Sequence, residues 1–145
     1  MVDVVDKATR SRMMAGIRAK NTKPEVALRS ALHRLGFRFR IHDRKLPGRP
    51  DIVFPRYRAA VQVHGCFWHR HEGCRFATNP SSNAEFWQAK FQANATRDRA
   101  AELKLQENGW RTGVVWECAI RNRGAADIAA QLASWLRSEG KRLEL

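Results

Sequence analysis

Acidic residues are scarce in this chain. Its 145 residues carry 14 Asp and Glu against 27 Lys and Arg, a formal net charge of +13 with a pI near 11.0. So large an imbalance at this size costs self-repulsion, which argues for a polyanionic partner, nucleic acid first. Long apolar runs are missing as well. None approaches the ~18 residues of a membrane span, and Met1-Val2-Asp3-Val4-Val5-Asp6 has acids where a secretory leader has bases. A cytoplasmic protein with no membrane role is expected. There is no internal repeat or low-complexity segment, so the positive charge is spread along the chain rather than held in a tail. No basic amphipathic helix of the membrane-surface kind dominates. Cysteine is limited to three, an odd number. Close to histidines in a cytosolic chain, that count points to metal ligation before disulfides.

What is present reads as one α/β domain spanning residues 1–145. Residues 7–20 form a basic helix with Met14 and Ile17 on one side. Thr22-Lys23-Pro24-Glu25 is a capping box opening a second helix, whose apolar stripe is Leu28, Ala31, Leu32 and Leu35 and whose stop is Gly36. Phe37 to Ile41 alternates as a half-buried strand does. After the turn Leu46-Pro47-Gly48-Arg49-Pro50, Asp51 to Phe54 is a buried strand and Arg58 to His64 its hairpin partner. Ser82-Asn83-Ala84-Glu85 is a second capping box, starting a long helix that Gly109 ends. Trp110 to Trp116 is a strand, and a last helix near 125–138 buries Ile128, Leu132, Trp135 and Leu136. This order gives a compact domain with a central mixed sheet and helices on both faces.

Three constellations carry chemistry. Cys66, His71 and Cys74 fall within nine residues, and Cys118 follows the late strand. Three thiols and an imidazole suit tetrahedral zinc, and a site filled by four protein ligands is structural. The alternative is two buried small cysteines and a surface histidine. Asp51 opens one strand, while Gln62 and His64 share a face at the end of the next. A carboxylate placed there can hold magnesium for phosphoryl chemistry. His69 is placed to move a proton, with Asp98 on the long helix fixing its tautomer. Phe67 and Trp68 are neighbours in a polar loop, where both cannot easily point inward. With Trp87 they read as a wedge that unstacks a duplex, an operation cheaper at a mismatched step.

The segments Asp6–Ser11, Leu46–Asp51, His64–His69, Glu85-Phe86-Trp87, Arg97-Asp98-Arg99 and Val115–Ala119 resemble the very-short-patch repair endonucleases, in order over nearly the whole chain. That family is a divergent branch of the PD-(D/E)xK nucleases, with a restriction-endonuclease-like fold. Here Gln62 and His64 occupy the places of the usual acid and lysine. The resemblance implies a magnesium-dependent enzyme that nicks duplex DNA 5′ to the thymine of a T·G mismatch left by deamination of 5-methylcytosine. It implies Asp51, His64, His69 and Asp98 as catalytic residues. Magnesium would sit on Asp51 and on the backbone carbonyl of Val63, and structural zinc on Cys66, His71, Cys74 and Cys118. Met14, Phe67, Trp68 and Trp87 would intercalate, with Lys90 and Asn94 among the DNA contacts. A bacterial monomer in contact with other mismatch-repair proteins is expected. A restriction-type nuclease with another target, or a zinc-stapled DNA-binding module without catalysis, fits part of the same pattern.

Overall fold

The computed structural model describes residues 21–145, so the expected helix over 7–20 and its Met14 lie outside the described residues. Helix α1 (Lys23–Arg34) starts where the Thr22 hydroxyl accepts the Glu25 amide at 3.4 Å, with Pro24 in the first turn. The box is half made. The Glu25 carboxylate accepts from the amide of Asn21 at 2.6 Å instead of reaching back to Thr22. Leu28, Ala31 and Leu32 are buried as their spacing requires, but Leu35 is 48% exposed. It is the C-cap, and Gly36, at φ +90, takes the chain off the helix before that position can pack.

The alternation over 37–41 yields a strand only at β1 (Arg40–Ile41). Phe37 and Phe39 instead meet the ring of Phe54 edge-on at 6.0 and 5.9 Å. Strands β2 (Ile52–Phe54) and β3 (Ala59–His64) form the expected antiparallel hairpin, Ile52 opposite Val61. Helix α2 (Ala84–Glu107) and strand β4 (Arg111–Trp116) follow. The second capping box does not form: Asn83 caps α2 in the left-handed conformation, φ +56, with no side-chain bond. Beyond β4, α4 (Ala125–Leu136) is the expected last helix. Three elements exceed the sequence reading, a 3-10 turn at Pro55–Tyr57 between β2 and β3, α3 (Glu117–Arg123) and β5 (Arg142–Glu144).

The sheet runs β1-β2-β3-β4-β5, antiparallel from β1 to β3 and parallel from β3 to β5. Alternation along β3 divides it cleanly. Val61 faces the main core with Ile52, Val115 and residues of α1, α3 and α4, and Val63 packs at its margin. Ala60, Gln62 and His64 face α2 on the other side. Helix α2 buries only Phe91 and Leu105, and a cavity of about 690 Å³ lies between it and the sheet. Arg111 fastens the C-terminal end of the domain. Its guanidinium donates to the carbonyls of Trp135, Leu136 and Gly140, closing the end of α4 and setting the approach to β5. No helix among the described residues is long and apolar enough to cross a membrane.

Candidate active site

The end of the β2–β3 hairpin opens into a cleft lined by Asp51, Gln62, Val63, His64 and His69, with Glu25 from α1 and Lys90, Asn94 and Arg97 from α2. Gln62 and His64 share a face, and Gln62 donates to the Gly48 carbonyl at 3.1 Å. Asp51 does not join His64 in a single ligand group. It stands with Glu25 and His42, while His64 stands with His69 and Asp98. The cleft therefore has a carboxylate side and an imidazole side.

On the carboxylate side, Asp51 Oδ2 accepts the Val63 amide at 2.7 Å. His42 Nε2 lies 3.2 and 3.3 Å from the two oxygens of Glu25 and 4.0 Å from Asp51 Oδ1. Burial pushes the Asp51 carboxyl up to about 8, with the charge of Glu25 adding to it and the Val63 amide working the other way. This donor set fits a divalent cation: two carboxylates brought together under burial, whose mutual repulsion a double positive charge relieves.

On the imidazole side, His64 and His69 stack with centroids 3.9 Å apart and planes 4° from parallel. Asp98 Oδ2 is 2.6 Å from His69 Nδ1, so a carboxylate orients that ring. Burial, and then the neighbouring His69, bring His64 down to about 3. His64 is thus a neutral imidazole at physiological pH.

The expected zinc ligands do converge. One ligand atom each from Cys66, His71, Cys74 and Cys118 lies within 4.8 Å of all the others, and Cys118 Sγ is 3.3 Å from His71 Nδ1. Zinc holds sulfur at ~2.3 Å and nitrogen at ~2.0 Å, which such a group can satisfy from its centre. Burial pushes the Cys66 thiol up to about 12, so metal binding there displaces a proton. The loop carries a second strut that its sequence did not disclose. Arg70 donates to the carbonyls of Ala77 and Thr78 and to Asn79, and stacks over Phe91 at 4.1 Å.

The aromatic residues form one cluster in which Phe67 touches Trp68, Trp87 and Phe91 at 5.0 to 5.8 Å. Only one of the two loop neighbours is buried: Trp68 is 7% exposed, and Phe67 and Trp87 are half-buried. Asn94 donates to the Trp68 carbonyl at 3.2 Å, which ties the loop to α2. Glu25 and His42 went unnoticed in the sequence. Glu25 already had an explanation as a capping residue, and His42 sits in a turn with no motif around it.

A mixed α/β domain whose cleft opposes a carboxylate pair to a carboxylate-backed imidazole pair, under a strongly basic surface, belongs with the hydrolytic nucleases. Residues 2–75 match the family described as DNA mismatch endonuclease Vsr. The chain is 43% identical to DNA mismatch endonuclease Vsr of Escherichia coli, over all of this chain and 94% of that one. It is 47% identical to Type II nicking enzyme V.XorIIP of Xanthomonas oryzae over 88% of this chain and 93% of the relative. A third, Type II nicking enzyme V.NmeAIP of Neisseria meningitidis, is 42% identical over 85% and 87%. The chain belongs to the Vsr family of DNA mismatch endonucleases, restriction-endonuclease-like in fold, and is an endonuclease acting on DNA.

Proposed function

We propose that this endonuclease nicks one strand of duplex DNA on the 5′ side of the thymine of a T·G mismatch, with magnesium, as a cytoplasmic bacterial monomer. The observation that carries the reading is the cleft itself, with Glu25 and Asp51 on one wall and His64, His69 and Asp98 on the other. Asp51 and the Val63 carbonyl, with Glu25 beside them, would hold magnesium, which would supply Lewis-acid polarisation of the scissile phosphate. His69 has Nδ1 engaged by Asp98 and presents Nε2 to take a proton from the attacking water. His64, kept neutral, donates a hydrogen bond to the phosphate. Lys90 and Arg97, on the same lip, meet the backbone charge. The nicking activity in the names of two of the relatives supports cleavage of a single strand. One gel tests the reading: nicking of T·G duplex in magnesium, little on matched duplex, and none in EDTA. Equal cleavage of both duplexes would move the target elsewhere, to a restriction-type nuclease.

The charge makes a separate claim. With six to ten basic side chains on phosphates, affinity falls by about 10³ to 10⁵ between roughly 50 and 200 mM salt. Fluorescence anisotropy across that range checks it, and a flat response would assign the +13 charge to another purpose.

The wedge is now assigned to Phe67 and Trp87, with Trp68 backing them from its buried position. Base stacking contributes about 1–3 kcal/mol per base. Phe67→Ala should therefore bind T·G duplex roughly ten- to a hundredfold more weakly and matched duplex much less so. A base-analogue fluorophore beside the mismatch brightens with the parent protein and stays quenched with the variant. An equal loss on both duplexes would make Phe67 a general backbone contact. Trp68→Ala is a poor test, because emptying that site costs about 3–5 kcal/mol of stability.

A further inference from the structure

Trp116 stands between two imidazoles of different purpose. Its ring stacks on His71 of the zinc group at 4.2 Å and 8°, and meets His64 of the cleft edge-on at 5.2 Å and 70°. Its indole Nε1–H donates to Glu144 Oε2 on β5 at 3.0 Å. The same strand has a second connection. Arg142 donates to Glu102 Oε1 of α2 at 2.9 Å and pairs with Glu144 at 2.9 Å. Glu102 lies four residues beyond Asp98, hence on the same face of the helix, and Asp98 holds His69. Two routes thus leave β5, one ending on His64 and the other on His69, and they close where those rings stack. The whole circuit surrounds the cavity beneath α2.

We propose that Glu144 is a positioning residue for the reaction: by fixing the Trp116 indole it sets the orientation of His64 against His69. This inference rests on the roles given above to the two histidines. An edge-to-face contact favours one ring orientation over others, so the direction of the indole is transmitted to the imidazole. The indole is itself directed by a bond to a carboxylate, a stronger tether than a neutral pair provides. Glu144 is exposed at the sheet edge and is not among the residues lining the cleft on the hairpin side, though it shares the cavity beneath α2 with His64 and His69. Its removal therefore changes alignment without emptying the core.

The test compares zinc-loaded parent, Glu144→Ala, Glu144→Gln and His64→Ala on T·G duplex in saturating magnesium. Glu144→Ala should lower kcat roughly tenfold, with KM and zinc content unchanged and a fall of only a few degrees in melting temperature from the orphaned indole N–H. Glu144→Gln keeps an acceptor for the indole N–H and should recover most of the rate. The Trp116 indole N–H resonance should move upfield in the alanine variant and return in the glutamine variant. Full kcat in Glu144→Ala, with His64→Ala inactive, overturns this inference alone. So does a loss that glutamine fails to rescue or that tracks released zinc. Full activity in His64→Ala removes the histidine from the mechanism and this inference with it.

Discussion

Asp51→Ala is expected to abolish nicking while leaving duplex affinity nearly unchanged. The carboxylate stands with Glu25 and His42 rather than on the basic lip, so its proposed part is in holding the metal and not in the grip on DNA. Charge stabilisation by a catalytic cation amounts to several kcal/mol, which at 1.36 kcal/mol per decade is a loss of about 10³-fold or more. The isosteric Asp51→Asn variant separates this role from packing. In the folded protein the Asp51 proton is held up to about 8, against an ordinary value of 3.8. The folded state thus binds the proton more tightly than the unfolded chain. That contribution to stability is complete below about pH 4 and is lost as pH rises towards 8. At pH 7 in EDTA, where the parent bears most of that loss, asparagine is expected to raise the melting temperature while removing activity. A side chain that costs stability and is indispensable for turnover marks a functional site. Parent-like nicking by the purified alanine variant would take Asp51 out of the mechanism.

The second large effect is expected from the Cys66–His71–Cys74–Cys118 group, whose donors suit zinc. Cys118 is the member of that group from outside the 66–74 loop, so a metal held there would join the loop to the end of β4. Structural zinc binds with an apparent ~10–16 kcal/mol in small peptides. Losing one of four ligands should therefore remove at least ~3 kcal/mol of folding stability. For a chain of this length that corresponds to roughly 10 °C or more in melting temperature. Cys118→Ser should lose zinc by elemental analysis and melt earlier. Its nicking should fail as well, because His69 lies within the stapled loop and His71 stacks on the same Trp116 that abuts His64. A chelated protein with unchanged melting behaviour and full activity would reduce the cluster to ordinary buried cysteines.

The sequence disclosed the parts of this site that depend on short periods and close spacing. Period two along β3 placed Gln62 and His64 on one face, and the Cys-x4-His-x2-Cys spacing brought three ligands into one loop. It failed where one residue serves two purposes or where partners lie far apart. Glu25 satisfies the grammar of a helix start so well that its place beside Asp51 is invisible. Trp116 and Glu144 are 28 residues apart and meet only because β5 adds to the sheet in parallel with β4. Three residues, Arg142-Leu143-Glu144, are too few to show a period. The Ser82–Glu85 signal was local and was overruled locally, since Asn83 entered α2 through the left-handed region.

Helix α2 is 24 residues long, yet among its side chains only Phe91 and Leu105 are buried. In mechanical terms it is a beam on two apolar supports with a cavity beneath the span. Asp98 is seven residues from Phe91 and seven from Leu105, at mid-span, where polar ties from Asn94 to the Trp68 carbonyl, from Asp98 to His69 and from Glu102 to Arg142 take the place of apolar packing. Long helices curve gently, and a duplex held by Lys90 and Arg97, as proposed, would meet the span beside the carboxylate that orients His69. Under the roles proposed for His69, Lys90 and Arg97, one helix would carry both the grip on DNA and the aim of the general base.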